Sequence, residues 1–155
     1  MGNKPDFKSL LEEVRKTLES AQERDEKLAS ICDLLKNRVS YYNWVGFYLV
    51  NPNQEQELML GPFAGEPTEH VQIAFGQGIC GQAAALEQTF IIQDVSKETN
   101  YLSCSPDVQS EIVIPLFKDG AVVGELDIDS HKLSPFTGED RAFLEQVAQE
   151  IAELF

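Results

Sequence analysis

The sequence predicts an α+β fold in which a central, largely antiparallel sheet is packed by N- and C-terminal helices. Three observations carry this reading. Apolar residues at both ends recur at three- and four-residue steps, the spacing of an amphipathic helix. The middle is made of short runs rich in β-branched and aromatic residues. Tight-turn signals join those runs, which favours antiparallel neighbours with helices layered on the sheet.

In chain order, Phe7, Leu10, Leu11, Val14 and Leu18 mark a first helix between Asp6 and Ser20. After polar Gln22 to Asp25, the residues Leu28, Ile31, Cys32, Leu35 and Val39 mark a second, with Cys32 on its core face. The period changes at Tyr41, where an aromatic and β-branched run closes on Asn51-Pro52-Asn53 and predicts a strand and a turn. Its partner is expected from Glu57 to Phe63, followed by a short strand from His70 to Phe75, a short helix at Ala83 to Leu86, and a strand from Thr89 to Gln93. Asp94 to Gln109 is polar and irregular, long enough for a functional loop. Glu111 to Phe117 and Ala121 to Ile128 flank Asp119-Gly120, a strong hairpin signal. Thr137 and Asp140 can cap a last helix with Phe143, Leu144, Val147, Ala148, Ile151 and Leu154 on one face. One domain over 1–155 is expected, with N-terminal helices at about 6–39, a sheet core at about 41–130 and a C-terminal helix at about 137–155. The terminal helices carry enough apolar surface to pair between subunits, so a homodimer is an expectation.

Charge narrows the partners. Twelve Lys and Arg stand against 26 Asp and Glu, a net charge of −14 that repels nucleic acid and anionic membrane alike. No window approaches the roughly 18 apolar residues of a membrane span, and the first residues lack the apolar segment of a secretory signal. Three cysteines without a Cys-x-x-Cys pair fit a reducing compartment, so a cytoplasmic location is expected.

Gly76-Gln77-Gly78-Ile79-Cys80-Gly81 matches G-x-G-x-x-G literally. The helix after it has room for barely two turns, too few for a dinucleotide-binding crossover. The glycines instead shape a turn. Cys80 lies at the start of that short helix, where free N–H groups and the helix dipole are expected to favour a thiolate. Cys104 lies in the irregular stretch, with no periodicity that would require a thiol for packing. Each has a plainer reading, Cys80 as a small buried residue and Cys104 as an incidental surface thiol. Asp127 and Asp129 fall on one face of an otherwise apolar strand, pointing to solvent or converging on a cation such as an amino-acid ammonium, and Glu111 can join them across the sheet. His70, His131 and the cysteines show no familiar metal spacing, so no metal or other cofactor is expected.

Five segments appear in order: Asn43-Trp44-Val45-Gly46-Phe47-Tyr48, Leu60-Gly61-Pro62-Phe63, the Gly76–Gly81 loop, Ser110-Glu111-Ile112-Val113-Ile114-Pro115, and Gly124-Glu125-Leu126-Asp127-Ile128-Asp129-Ser130. In combination, from about Ile31 to the C-terminus, they resemble the free methionine-(R)-sulfoxide reductases, a family of stand-alone GAF domains. The resemblance implies a GAF-type fold and a reaction in which a cysteine attacks the sulfur of free methionine sulfoxide. That cysteine becomes a sulfenic acid, a second cysteine closes a disulfide, and thioredoxin reduces it. By position it implies that Cys104 attacks, Cys80 resolves, and Trp44 walls the substrate methyl. Glu111, Asp127 and Asp129 then hold the ammonium and the sulfoxide oxygen, with Asp94 a further member.

The chain departs from the family pattern at two places. His70 occupies the position, ten residues before Cys80, where the family usually carries a third cysteine. The loop reads Tyr101-Leu102-Ser103-Cys104-Ser105 where the family usually has His-Ile-Ala-Cys-Asp. Both changes flank the chemistry, so a second expectation stands beside the first: a GAF sensory module that binds a small metabolite or amino acid without reacting.

Overall fold

The computed structural model describes residues 4–103 and 105–155. Two helices open the chain, α1 (Phe7–Glu19) and α2 (Arg24–Arg38), and strands β1 (Trp44–Val50), β2 (Glu57–Ala64) and β3 (Gln72–Ala74) follow. Helix α3 (Gly78–Leu86) leads to β4 (Phe90–Ile92), the hairpin of β5 (Ser110–Lys118) and β6 (Ala121–Ser130), and α4 (Gly138–Ile151). The six strands form one sheet in the order β3-β2-β1-β6-β5-β4, and every neighbouring pair is antiparallel. This is the α+β layering that the sequence predicts, and the described residues hold no parallel crossover for a dinucleotide fold.

Local chemistry explains the boundaries. Asp6 accepts from the Ser9 N–H to start α1, and Thr137 and Asp140 form a reciprocal capping box at α4. Asp119 and Gly120 both have positive φ, 53° and 80°, as a two-residue hairpin turn of the primed type requires. The irregular stretch after β4 contains one turn of 3₁₀ helix at Val95–Lys97, which Asp94 caps through the Ser96 N–H. Helix α3 starts five residues before the expected Ala83, so Cys80 sits within its first turn.

The sheet separates two apolar clusters. On one face Val45, Phe47, Ile112, Ile114, Leu126 and Ile128 pack against α1, α2 and α4. Phe7 and Phe143 stack there at 4.6 Å, tying the first helix to the last. The exposed large apolar side chains among the described residues are Met59, Val71, Leu86, Phe117 and Leu133, none of them on α1, α2 or α4. On those helices Phe7, Leu11, Leu18 and Leu34 pack against the core while remaining partly exposed. On the other face, Trp44, Tyr48 and Val113 pack with Ile79, Cys80, Ala83 and Ala84 of α3. No described helix is long and apolar enough to cross a membrane.

Candidate active site

The strand register builds the site. Trp44, Gly46 and Tyr48 of β1 pair with Asp129, Asp127 and Glu125 of β6, and Glu111 and Val113 of β5 pair with Asp129 and Asp127. Because side chains alternate along a strand, all of these residues fall on the α3 face of the sheet. Glu111, Glu125, Asp127 and Asp129 are each at most 6 % exposed. The two aspartates therefore converge inward and do not point to solvent.

Three of them, Glu125, Asp127 and Asp129, keep oxygens without the partners that buried acids normally have. Both oxygens of Glu125 and the Oδ1 atoms of Asp127 and Asp129 have no hydrogen-bond partner among the described residues. Burial holds the Glu125 and Asp129 carboxyls well above the ordinary range, with the charge of Asp127 adding to each. Asp127 is raised by burial too, against the opposing effect of hydrogen bonding with Glu111 and Cys80. Asp140 makes an instructive contrast on the opposite face. It is equally buried but accepts from Tyr41, Tyr42 and both the N–H and hydroxyl of Thr137, at 2.6–2.8 Å. Asp140 is a structural tie, whereas Glu125, Asp127 and Asp129 present unfilled acceptor positions among the described residues.

Cys80 donates to Glu111 Oε2 at 3.8 Å. Its environment overturns the expectation of a thiolate. Burial first, then the surrounding Asp127, Glu125, Glu111 and Asp129, push this thiol well up, and they outweigh its place in the first turn of α3. Cys80 rests as a protonated thiol.

Trp44 lies flat against the sheet. Its ring stacks on Phe63 at 5.5 Å and its Nε1 donates to the Glu66 carbonyl at 2.9 Å. Gly46 permits this, since a Cβ there would stand 2.6 Å from Trp44 Cζ3 and 2.8 Å from Phe63 Cβ. Trp44 and Asp129, together with Gly65, Ser105, Val108 and His131, line an open cleft of about 260 Å³. That is a little under the roughly 300–1,000 Å³ of pockets for drug-sized ligands, and it suits a smaller metabolite. Deeper in, Cys80, Glu111, Asp127, Tyr48, His70 and Leu102 border a cavity of about 10 Å³.

Residues 100–103 are fastened to this site at several points. Asn100 accepts from the Gly78 N–H through Oδ1 and donates to the Gly76 carbonyl, both at 2.8 Å. Gln82 donates to the Asn100 carbonyl at 3.0 Å. His70 Nε2 lies 2.9 Å from the Ser103 carbonyl, and the Tyr48 hydroxyl donates to the His70 carbonyl at 2.8 Å. Cys104 itself lies outside the described residues. Its neighbours divide between the two cavities, Leu102 bordering the inner one and Ser105 the cleft.

Of the residues singled out from the sequence, Trp44, Cys80, Glu111, Asp127 and Asp129 thus come together. Asp94 does not. It accepts from the Ser96 N–H and hydroxyl and borders a different surface depression with Ile91, Gln93 and Lys97. Glu125 was missed, although its parity with Asp127 along β6 was a signal that could have found it.

The fold and this constellation have close counterparts. A family model described as GAF domain matches residues 21–155. The chain is 38% identical over 127 residues to a free methionine-R-sulfoxide reductase of Escherichia coli, covering 82% of this chain and 74% of that protein. A free methionine-R-sulfoxide reductase of Saccharomyces cerevisiae is 40% identical over 108 residues, which are 69% of this chain and 59% of that protein. The crystal structure of a free methionine-R-sulfoxide reductase from Neisseria meningitidis, in complex with its substrate, superposes with a TM-score of 0.88 at 35% identity. It covers 96% of this chain and 87% of that one.

The chain belongs to the GAF-domain family of free methionine-R-sulfoxide reductases. The region matched by the GAF model begins ahead of α2 and contains all six strands and every residue of the site. In this reductase-family chain the inner cavity is bordered by His70 and Cys80 together with the buried Glu111 and Asp127.

Proposed function

We propose that this protein reduces free methionine-(R)-sulfoxide to methionine. The observation that carries the reading is the convergence of Trp44, Asp127 and Asp129 on one sheet face, with carboxylate oxygens at its base that have no partner among the described residues. The substrate's ammonium group is a fitting partner for those oxygens, and its methyl a fitting neighbour for the indole of Trp44.

In this reading Cys104 attacks the substrate sulfur as a thiolate. The sulfoxide oxygen is transferred to the cysteine with the aid of a proton from a neutral carboxyl of the cluster, and methionine leaves. Cys104 is then a sulfenic acid, oxidised by two electrons. The elevated acids support this role, because a carboxyl kept neutral by burial can donate a proton at neutral pH. Cys80 next displaces the sulfenic hydroxyl as water and closes a Cys80–Cys104 disulfide, for which Cα atoms must come within about 4.4–6.8 Å. A dithiol reductant of the thioredoxin type then restores both thiols by exchange, in keeping with a reducing cytoplasm. With His70 where the family usually has a cysteine, recycling runs through Cys80 alone.

Single-turnover assays on reduced variants test the assignment. Cys104→Ser should release no methionine, whereas Cys80→Ser should release one equivalent and then stop. Equal methionine release by wild type and Cys104→Ser would overturn it. Tight binding of the sulfoxide without thiol oxidation in wild type would favour the ligand-binding module instead.

A further inference from the structure

The inner cavity has a property that the reductase cycle does not use. Cys80, Glu111 and Asp127 each offer a ligand atom there, the three atoms lie within 4.8 Å of one another, and all three residues are buried. Asp127 is 2 % exposed and its Oδ1 has no partner among the described residues. No lysine or arginine is among the described residues bordering this cavity, and His70 is the one basic side chain among them.

We propose that the reduced protein binds one divalent ion of the zinc class between Cys80 Sγ, Glu111 and Asp127. The geometry is close to what such an ion needs. Tetrahedral zinc with Zn–S of about 2.3 Å and Zn–O of about 2.0–2.2 Å sets its sulfur and oxygen ligands roughly 3.5 Å apart. Cys80 Sγ and Glu111 Oε2 stand at 3.8 Å. The cavity of about 10 Å³ is near the least volume that holds one water, ample for an ion that replaces protons on its own ligands. Sulfur among the ligands selects zinc, cobalt or their neighbours over magnesium and calcium, and three protein ligands leave a fourth position for water.

Binding releases the Cys80 proton, together with any carried by the two carboxyls, and involves no oxidation or reduction. The ion and the disulfide compete for the same sulfur. A zinc-bound Cys80 cannot close a disulfide, so the ion blocks recycling after the first turnover.

Cobalt(II) is the probe, because a thiolate ligand gives it a near-ultraviolet charge-transfer band. The reduced wild type and Cys104→Ser proteins should both develop that band, saturating at one equivalent, and zinc(II) should abolish it. The band should vanish in Cys80→Ser, and Asp127→Asn should weaken cobalt binding by at least about tenfold. Cys32 is fully buried on the opposite face of the sheet and is no rival source. Circular dichroism of each variant establishes that it is folded. If Cys80→Ser does not fold, Asp127→Asn and the wild-type stoichiometry decide the matter. No band in wild type or in Cys104→Ser, a band that survives Cys80→Ser, or undiminished cobalt affinity in Asp127→Asn would overturn the proposal. The readout is metal binding and not turnover, so it stands apart from the outcome for the reductase.

Discussion

Trp44 and Asp129 face one another across the β1–β6 ladder, so a single register fixes both the aromatic wall and the acidic base of the cleft. The indole keeps its place because Gly46, two residues on, leaves the sheet surface bare beneath it.

The Gly46→Ala substitution therefore moves the indole without touching any reacting group. The added methyl must displace Trp44 or Phe63, at a cost of about 1–3 kcal/mol typical of overpacking. We expect KM for free methionine-(R)-sulfoxide to rise about tenfold with a smaller change in kcat. Steady-state kinetics beside a urea melt check this, and an unchanged KM would separate the indole from substrate binding.

Asp127→Asn and Asp129→Asn test the acid cluster. Each removes a carboxyl that can hold the ammonium or protonate the departing oxygen, and general acid catalysis is worth about 100- to 10,000-fold. The expected loss in kcat/KM lies in that range for both, measured as methionine formed. In the wild type, the single-turnover rate should fall on the alkaline side as the cluster loses its proton.

The same acids make stability fall with pH. A carboxyl raised in the folded protein stays protonated after the unfolded chain has ionised, so the unfolded state binds fewer protons and gains relative stability as pH rises. For Glu125 and Asp129 the window opens at the ordinary carboxylate range near pH 4 and extends up to their raised values. Glu125→Gln should flatten this slope, gaining on the wild type as pH increases. Urea melts at pH 5 and pH 8 measure it, and parallel slopes would show that Glu125 does not retain its proton.

Asp140 predicts the reverse kind of result. Asp140→Ala strips the cap from α4 and leaves the Tyr42 hydroxyl buried without its acceptor. A loss of about 2–4 kcal/mol is expected. Because Asp140 is on the face opposite the site, single-turnover chemistry in the folded fraction should be unchanged.

Much of this was legible in the sequence. Periodicity located α1, α2 and α4, since Leu28, Ile31, Cys32 and Leu35 can share a face in no other regular structure, whereas only the second half of α3 was legible, in its run of alanines. The Asp119-Gly120 hairpin and the Thr137–Asp140 cap were readable because each is short-range chemistry. The alternation that exposed Asp127 and Asp129 did not reveal which way they faced, because a period of two is the same for a solvated and a buried face. Only packing of α3 over the sheet decides that. The same packing reversed the expectation for Cys80, whose helix position pulls toward a thiolate while burial among four acids pulls harder the other way. Asp94 went astray for a related reason. A carboxylate two residues before Ser96 serves equally well as a local cap, and sequence gives no measure of its distance from β6.

The central claim is that Cys80 and Cys104 work as one redox pair on free methionine-(R)-sulfoxide. Mass spectrometry of the reduced protein, mixed with one equivalent of that substrate and no reductant, tests it most directly. The account predicts one equivalent of methionine and a protein lighter by two hydrogens, with the linkage mapped to Cys80–Cys104. Unchanged substrate and three free thiols would contradict it.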